Sequence, residues 1–157
     1  MEMYVDTVVL PLPSDELVDV IEKRLRVFFP EPYRQFIKKY NGAVPITNVF
    51  CHNQHEYLIE RFLCILKDTE LDESNGWYDI EVIITQIGER LTDNEDLIGM
   101  NVVPIAVLFA GDFVCLDFRE SADPSVVVWY HEESGEFSPA TKKVAPNISA
   151  FFDMLRG

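Results

Sequence analysis

The sequence is poor in cations, cysteines and glycines, and each shortage removes a class of function. Its 13 Lys and Arg face 27 Asp and Glu, giving a formal net charge of −14. Nucleic-acid binding calls for Lys and Arg clustered against phosphates, so this balance argues against direct contact with nucleic acid. Three cysteines, Cys51, Cys64 and Cys115, are odd in number and scattered. They make no disulfide framework and read as reduced, buried thiols of a cytoplasmic protein. The seven glycines are isolated and no lysine precedes Ser or Thr, so there is no phosphate-cradling loop. A GxSxG nucleophile motif is also missing. The longest apolar run, residues 102–110, is interrupted by Pro104 and falls far short of the roughly 20 residues a membrane helix needs. The opening MEMYVDTVVLPLPSDE carries acids where a secretory signal carries bases, so we expect no export and no membrane contact.

What the chain does hold is an uneven field of negative charge. Residues 1–67 have 8 Lys and Arg against 9 Asp and Glu, whereas residues 68–136 have 2 against 17. Nearly the whole negative charge comes from that one continuous segment. Two readings are open: a solvated surface that aids solubility, or a face that steers a basic protein into contact.

Hydrophobic spacing supplies the elements. Ser14 caps a first helix whose apolar face is Leu17, Ile21, Leu25 and Phe28, broadened by Val18 and Val20, running to Phe29-Pro30. Residues 28–42, FFPEPYRQFIKKYNG, then form a second helix. Pro32 suits its first turn, Tyr33, Phe36, Ile37 and Tyr40 form one stripe, Lys38 and Lys39 favour the negative end of the dipole, and Asn41-Gly42 stops it. That stripe needs a covering surface, expected in the later strands. Residues 43–56 read as irregular with weak strand character at Val49-Phe50, and residues 61–67, RFLCILK, as a strand. An acidic turn at 68–79 follows, holding Asn75-Gly76 and the pair Trp77-Tyr78.

Asp79 caps a helix with Ile80, Ile83, Ile84, Ile87 and Leu91 on one face, and a second acidic loop spans 92–96. Residues 104–109 and 113–118 make a hairpin about Ala110-Gly111-Asp112, with Val114, Leu116 and Phe118 on one face and Phe113, Cys115 and Asp117 on the other. Residues 126–130 add a third strand, and Asn147 caps a last helix with Ile148, Phe151, Phe152 and Leu155. The order predicts a single α+β domain over residues 1–157: an antiparallel meander flanked by an N-terminal helix pair and a C-terminal helix.

Several of these stretches together resemble the SUKH superfamily, the fold of yeast cell-wall regulators of the SMI/KNR type and of many bacterial immunity proteins. FPEPYRQFIKKYNG is similar to its early proline-bounded helix closing on Asn-Gly-Gly, with Ala43 in place of the second glycine. The strand reaching Ala110-Gly111-Asp112 and the following one closing on Leu116-Asp117 resemble its central signature. Val127-Val128-Trp129-Tyr130-His131-Glu132 resembles a strand ending in Trp and His-Glu, and Phe151 to Leu155 its closing helix. The resemblance implies an antiparallel sheet with helices and no enzymatic activity. It also implies a role in neutralising a toxin, and among bacterial members the chain looks most like immunity partners of LXG-type toxins.

The remaining chemistry is thin. Cys51-His52-x-x-His55 is the only cluster hinting at metal, and it lacks a fourth ligand and a second pair. Asp93-Asn94-Glu95-Asp96 lacks the Gly and distal Glu of a calcium loop. We therefore expect no catalytic residue, no cofactor and no metal. The expected partner is a cognate toxin with a basic nuclease domain. Its binding face is expected at Asp68, Glu70, Asp72, Glu73, Trp77, Tyr78, Asp93, Glu95, Asp96, Asp117, Glu120 and Asp123. A regulatory scaffold binding an endogenous signalling or cell-wall factor is the alternative.

Overall fold

A computed structural model of the chain describes residues 1–70, 72, 74–97 and 102–157. Among these, four α-helices and eight strands form an α+β domain. Six strands make one sheet in unbroken sequence order, β3 (Val49–His52), β4 (His55–Phe62), β5 (Val102–Leu108), β6 (Phe113–Asp117), β7 (Ser125–Trp129) and β8 (Thr141–Ala145). Every neighbouring pair is antiparallel, as tight turns require for β3–β4 and β5–β6. A separate two-stranded ribbon pairs β1 (Met3–Tyr4) with β2 (Val44–Pro45).

The helix pair opens as the sequence predicts. The Ser14 hydroxyl accepts from Leu17 N–H at 3.1 Å and starts α1 (Asp15–Leu25). The helix stops earlier than expected, because Arg26 turns left-handed at φ 58° and its N–H returns to the Glu22 carbonyl. Phe28, expected on the apolar face, is thereby thrown outward and is 84% exposed, while Val27 and Phe29 turn into the core. Val20 is also exposed. The buried Glu22 carboxylate secures the corner, accepting from Phe29 N–H at 2.7 Å and from Arg34 Nη1 at 2.5 Å. Arg34 belongs to α2 (Glu31–Tyr40) and also bonds Asp19 at 2.8 Å, so one guanidinium ties the two helices together.

The apolar stripe of α2 finds its cover elsewhere than in the meander of residues 104–130. Phe36 packs 4.7 Å from Phe62 of β4 and 4.8 Å from Phe152 of α4 (Ile148–Met154). Beyond α2 the backbone turns through Gly42 at φ +66°, where an added Cβ would lie 2.7 Å from Val9 Cγ2 and 2.9 Å from Cys64 Cβ. Asn41, fully buried, stitches this corner: its Nδ2 donates to the carbonyls of Val9 and Ile65, and its Oδ1 accepts from Ile65 N–H at 2.7 Å.

Two regions differ from the expectation. Residues 49–62 form a hairpin, β3 with β4, around Asn53 and Gln54, both at positive φ. Of residues 61–67 only Arg61 and Phe62 lie in a strand. Leu63 to Leu66 continue as buried, irregular chain whose N–H groups go to Ile105 O, Tyr78 O, Asn41 Oδ1 and Asp79 Oδ2. Between β4 and β5 runs the one long connection of the sheet, carrying α3 (Ile80–Ile87) with Asp79 as its cap, then the 3-10 turn Gly88–Arg90. Strand β8 was not foreseen. No helix among the described residues is long and apolar enough to cross a membrane.

Candidate protein-docking site

The acidic loop at residues 68–79 is closed at its base by the core. Cys64 N–H donates to Tyr78 O at 2.8 Å and Ile80 N–H to Cys64 O at 3.0 Å. The Asp79 carboxylate accepts from Leu66 N–H at 2.9 Å and caps α3 through Glu81 N–H and Val82 N–H. Between these ends Asp68, Glu70 and Trp77 are exposed. Asp68 is exposed and accepts from Glu70 N–H at 3.0 Å. Asp72 accepts from the backbone N–H and the side-chain Nδ2 of Asn75, and these bonds hold its carboxyl below the usual range. Glu73 lies outside the described residues.

The two aromatics of this loop part company. Tyr78 is half-buried, with the Arg61 guanidinium 4.5 Å above its ring. Trp77, in the 3-10 turn Gly76–Tyr78, is 66% exposed. Beside it opens a groove of about 380 Å³ lined by Thr69, Glu70, Asp72, Gly76, Trp77 and Val82.

The other expected residues gather at the far end of α3. Thr92 is buried and its hydroxyl accepts from Asn94 N–H, which presents Asp93, Glu95 and Asp96 to solvent. Asp117, at the end of β6, is clasped by Arg119, with Nε and Nη2 each 2.9 Å from a carboxylate oxygen. Arg119 also donates to Thr141 Oγ1 at 2.8 Å. Its pKa is raised first by the bond to Asp117, with Asp93 and Glu120 adding to the field around it. The structure thus brings Asp93, Asp117 and Glu120 around one arginine, with Asp123 exposed nearby in sequence. Among the described residues no hydrogen bond or ion pair joins them to residues 68–79, and the eight residues of α3, about 12 Å of helix, run between the two loops. The acidic residues are read as two patches.

A third acidic spot was passed over. At the β5–β6 turn Asp112 Oδ1 accepts from His131 N–H at 2.9 Å and sits 2.6 Å from His131 Nδ1. With Glu132 and Glu133 these residues line a small pocket of about 160 Å³. The signal was in the sequence, since Gly111-Asp112 and His131-Glu132 both carry the family resemblance.

Burial pushes the Cys64 thiol up to about 12, and that of Cys115 well above its ordinary value, so neither supplies a thiolate. Cys51 is exposed, against expectation, and accepts from Arg156 Nη2 at 3.0 Å. His52 pairs directly with His55 across the hairpin, while Cys51 points to the opposite face, so that trio does not converge. Among the described residues no three His, Cys, Asp or Glu side chains are grouped to hold a metal ion.

These features define an α+β meander domain whose elaborated surface consists of acid-rich loops, one bearing an exposed aromatic. The chain belongs to the SUKH family: the model of the SMI1-KNR4 cell-wall family matches residues 15–152. Proteins of this family are typically non-enzymatic immunity proteins that bind toxins. No curated protein and no solved structure matches the chain.

Proposed function

We propose that this chain is an immunity protein that binds a cognate toxin, a basic nuclease domain of the LXG type, and covers its active-site face. The observation that carries the reading is the 2-against-17 charge balance of residues 68–136, of which Asp68, Glu70, Asp93, Glu95 and Asp96 are exposed on the loops at the two ends of α3, in a member of an immunity family. A nuclease groove is built for phosphates, and spaced carboxylates compete for the same cations. The field speeds encounter, to about 10⁸–10⁹ M⁻¹s⁻¹ at low salt for strongly steered pairs. An aromatic anchor such as Trp77 then slows release. Cytoplasmic residence follows from the same reading, because a self-protecting nuclease inhibitor is needed where the cell's nucleic acid is.

The test is co-expression with the protein encoded by the adjacent open reading frame. Survival of the host, with a complex that purifies at low salt and weakens as salt rises, is the expected result. Host death with no complex overturns it. The family's cell-wall description favours a second reading, a regulatory scaffold. That reading predicts a partner encoded elsewhere and binding indifferent to salt.

A further inference from the structure

The chain seats cations on its own aromatic rings, with Lys39 Nζ 5.0 Å over Tyr40. Arg61 lies 4.5 Å over Tyr78, and Arg90 lies 5.2 Å over Trp129. Trp77 directly precedes Tyr78, is 66% exposed, and has no cation over it among the described residues. Its surroundings already contain what a guanidinium requires. Val82 and the indole give the adjoining groove apolar walls, and Glu70 and Asp72 stand on its rim. Asp72 is held ionised by Asn75, and the Glu70 carboxylate makes no ion pair among the described residues. The backbone just before the indole is tightly packed, since a Cβ at Gly76 would lie 3.0 Å from the Thr69 carbonyl oxygen.

Four kinds of occupant can be compared on this chemistry. An anion is repelled by both carboxylates. An apolar plug would desolvate them without return. An ammonium satisfies the charge but is a strongly hydrated point that gains little from the ring plane. A guanidinium stacks flat on an indole and still directs paired N–H groups at carboxylates. We propose that this groove receives an arginine side chain of the partner protein, stacked on Trp77 and hydrogen-bonded to Glu70 and Asp72. The proposal rests on the immunity reading for the partner's identity, but its chemistry can be tested without one.

The experiment titrates the chain at low salt with a tetra-arginine peptide and a tetralysine peptide of equal charge, following indole emission and calorimetric affinity. Trp129 is buried, so the response reports Trp77. Tetra-arginine should bind about two- to five-fold tighter than tetralysine, the ratio expected of an exposed cation–π contact. Trp77→Ala should abolish that preference and leave equal, charge-driven binding of both peptides. Trp77→Phe should retain part of the preference, and Glu70→Gln should weaken both peptides. A thermal melt matching the parent shows that each variant is folded. Equal affinities in the parent, a preference that survives Trp77→Ala, or no binding of either peptide overturns the assignment. Loss of the assignment leaves the immunity reading standing. Failure to neutralise the neighbouring gene product, with the arginine preference intact, overturns only the immunity reading.

Discussion

Arg90 and Trp129 hold each other in both directions. The indole Nε1 donates to the Arg90 carbonyl at 2.8 Å, while the Arg90 guanidinium lies over that same indole and donates to the carbonyls of His131 and Ser134. One residue thus fastens the turn after α3 to the end of β7. Arg90→Ala should lower unfolding free energy by about 2–4 kcal/mol, because it leaves carbonyls unpaired and uncovers the ring. Arg90→Lys should recover part of the loss, since an ammonium reaches one carbonyl but cannot stack flat. Urea denaturation of both variants measures this, and a loss below about 1 kcal/mol for the alanine would show the clasp to be ornamental.

Two buried polar residues should respond with opposite signs. Asn41 satisfies two carbonyls and one N–H in the corner after α2. Asn41→Ala should therefore cost about 2–4 kcal/mol. The Tyr33 hydroxyl, on a side chain buried to 0% exposure, has no hydrogen-bond partner among the described residues. Tyr33→Phe should be neutral or stabilising by up to about 1–2 kcal/mol. Parallel thermal melts decide both, and a destabilised phenylalanine variant would mean that the hydroxyl is satisfied after all.

Asp79 makes stability depend on pH in the less common direction. Burial raises its carboxyl above the ordinary 3.8, against the pull of the N–H groups of Leu66, Val82 and Glu81. The folded chain keeps a proton that the unfolded chain gives up, so this contribution is full below the unfolded value and fades as pH rises through the folded one. Asp79→Asn does not titrate. Its stability relative to the parent should rise as pH climbs from about 3.5 to about 7, as read by urea unfolding across that range. A pH-independent difference would count against a raised carboxyl.

The two acidic patches should act on a partner's rate of capture and leave the fold alone. Asp68→Lys with Glu70→Lys, or Asp93→Lys with Asp96→Lys, should each slow association with the adjacent gene's product about tenfold at low salt. Neither pair should move the melting temperature, because all four side chains are exposed. Asp117→Asn should barely alter association, since Arg119 already neutralises that carboxylate. Stopped-flow measurements at two salt concentrations give the answer. If the patches lie idle, all three variants will bind at the parent's rate.

How much of this was legible in the sequence depends on how local the cause was. The caps at Ser14, Asp79 and Asn147 act within three residues, and all three formed. The β5–β6 hairpin and β7 announce themselves by Val, Ile and Phe around a Gly turn. The β3–β4 hairpin was missed because its turn, Asn53-Gln54, reaches positive φ without glycine. Yet Tyr57 and Ile59, buried between exposed Glu56, Leu58 and Glu60, carried the alternation. Strand β8, TKKVA, was hidden by two lysines on an edge, where charge protects against further pairing. Phe28 departs from the helical face because Arg26 is left-handed at a non-glycine position, which redirects the chain after it. At the site, composition located the acids, but only the fold could show that α3 separates them and that Arg119 offsets one group.

The single long excursion from the ladder, residues 63–101, has a consequence for how such a protein can change. The other connections of the six-stranded sheet are at most eleven residues long, so the pairing of β5 to β8 is settled without reference to what the excursion carries. Among the described residues of the excursion, Leu63 to Leu66, Asp79, the isoleucine face of α3, Gly88, Leu91 and Thr92 are committed to the interior. The exposed positions on either side, Asp68, Glu70, Asp93, Glu95 and Asp96, can exchange residues or reverse their charge without touching that interior. A lineage pursued by a diversifying antagonist could rewrite its recognition there, one loop at a time, on an unchanged chassis.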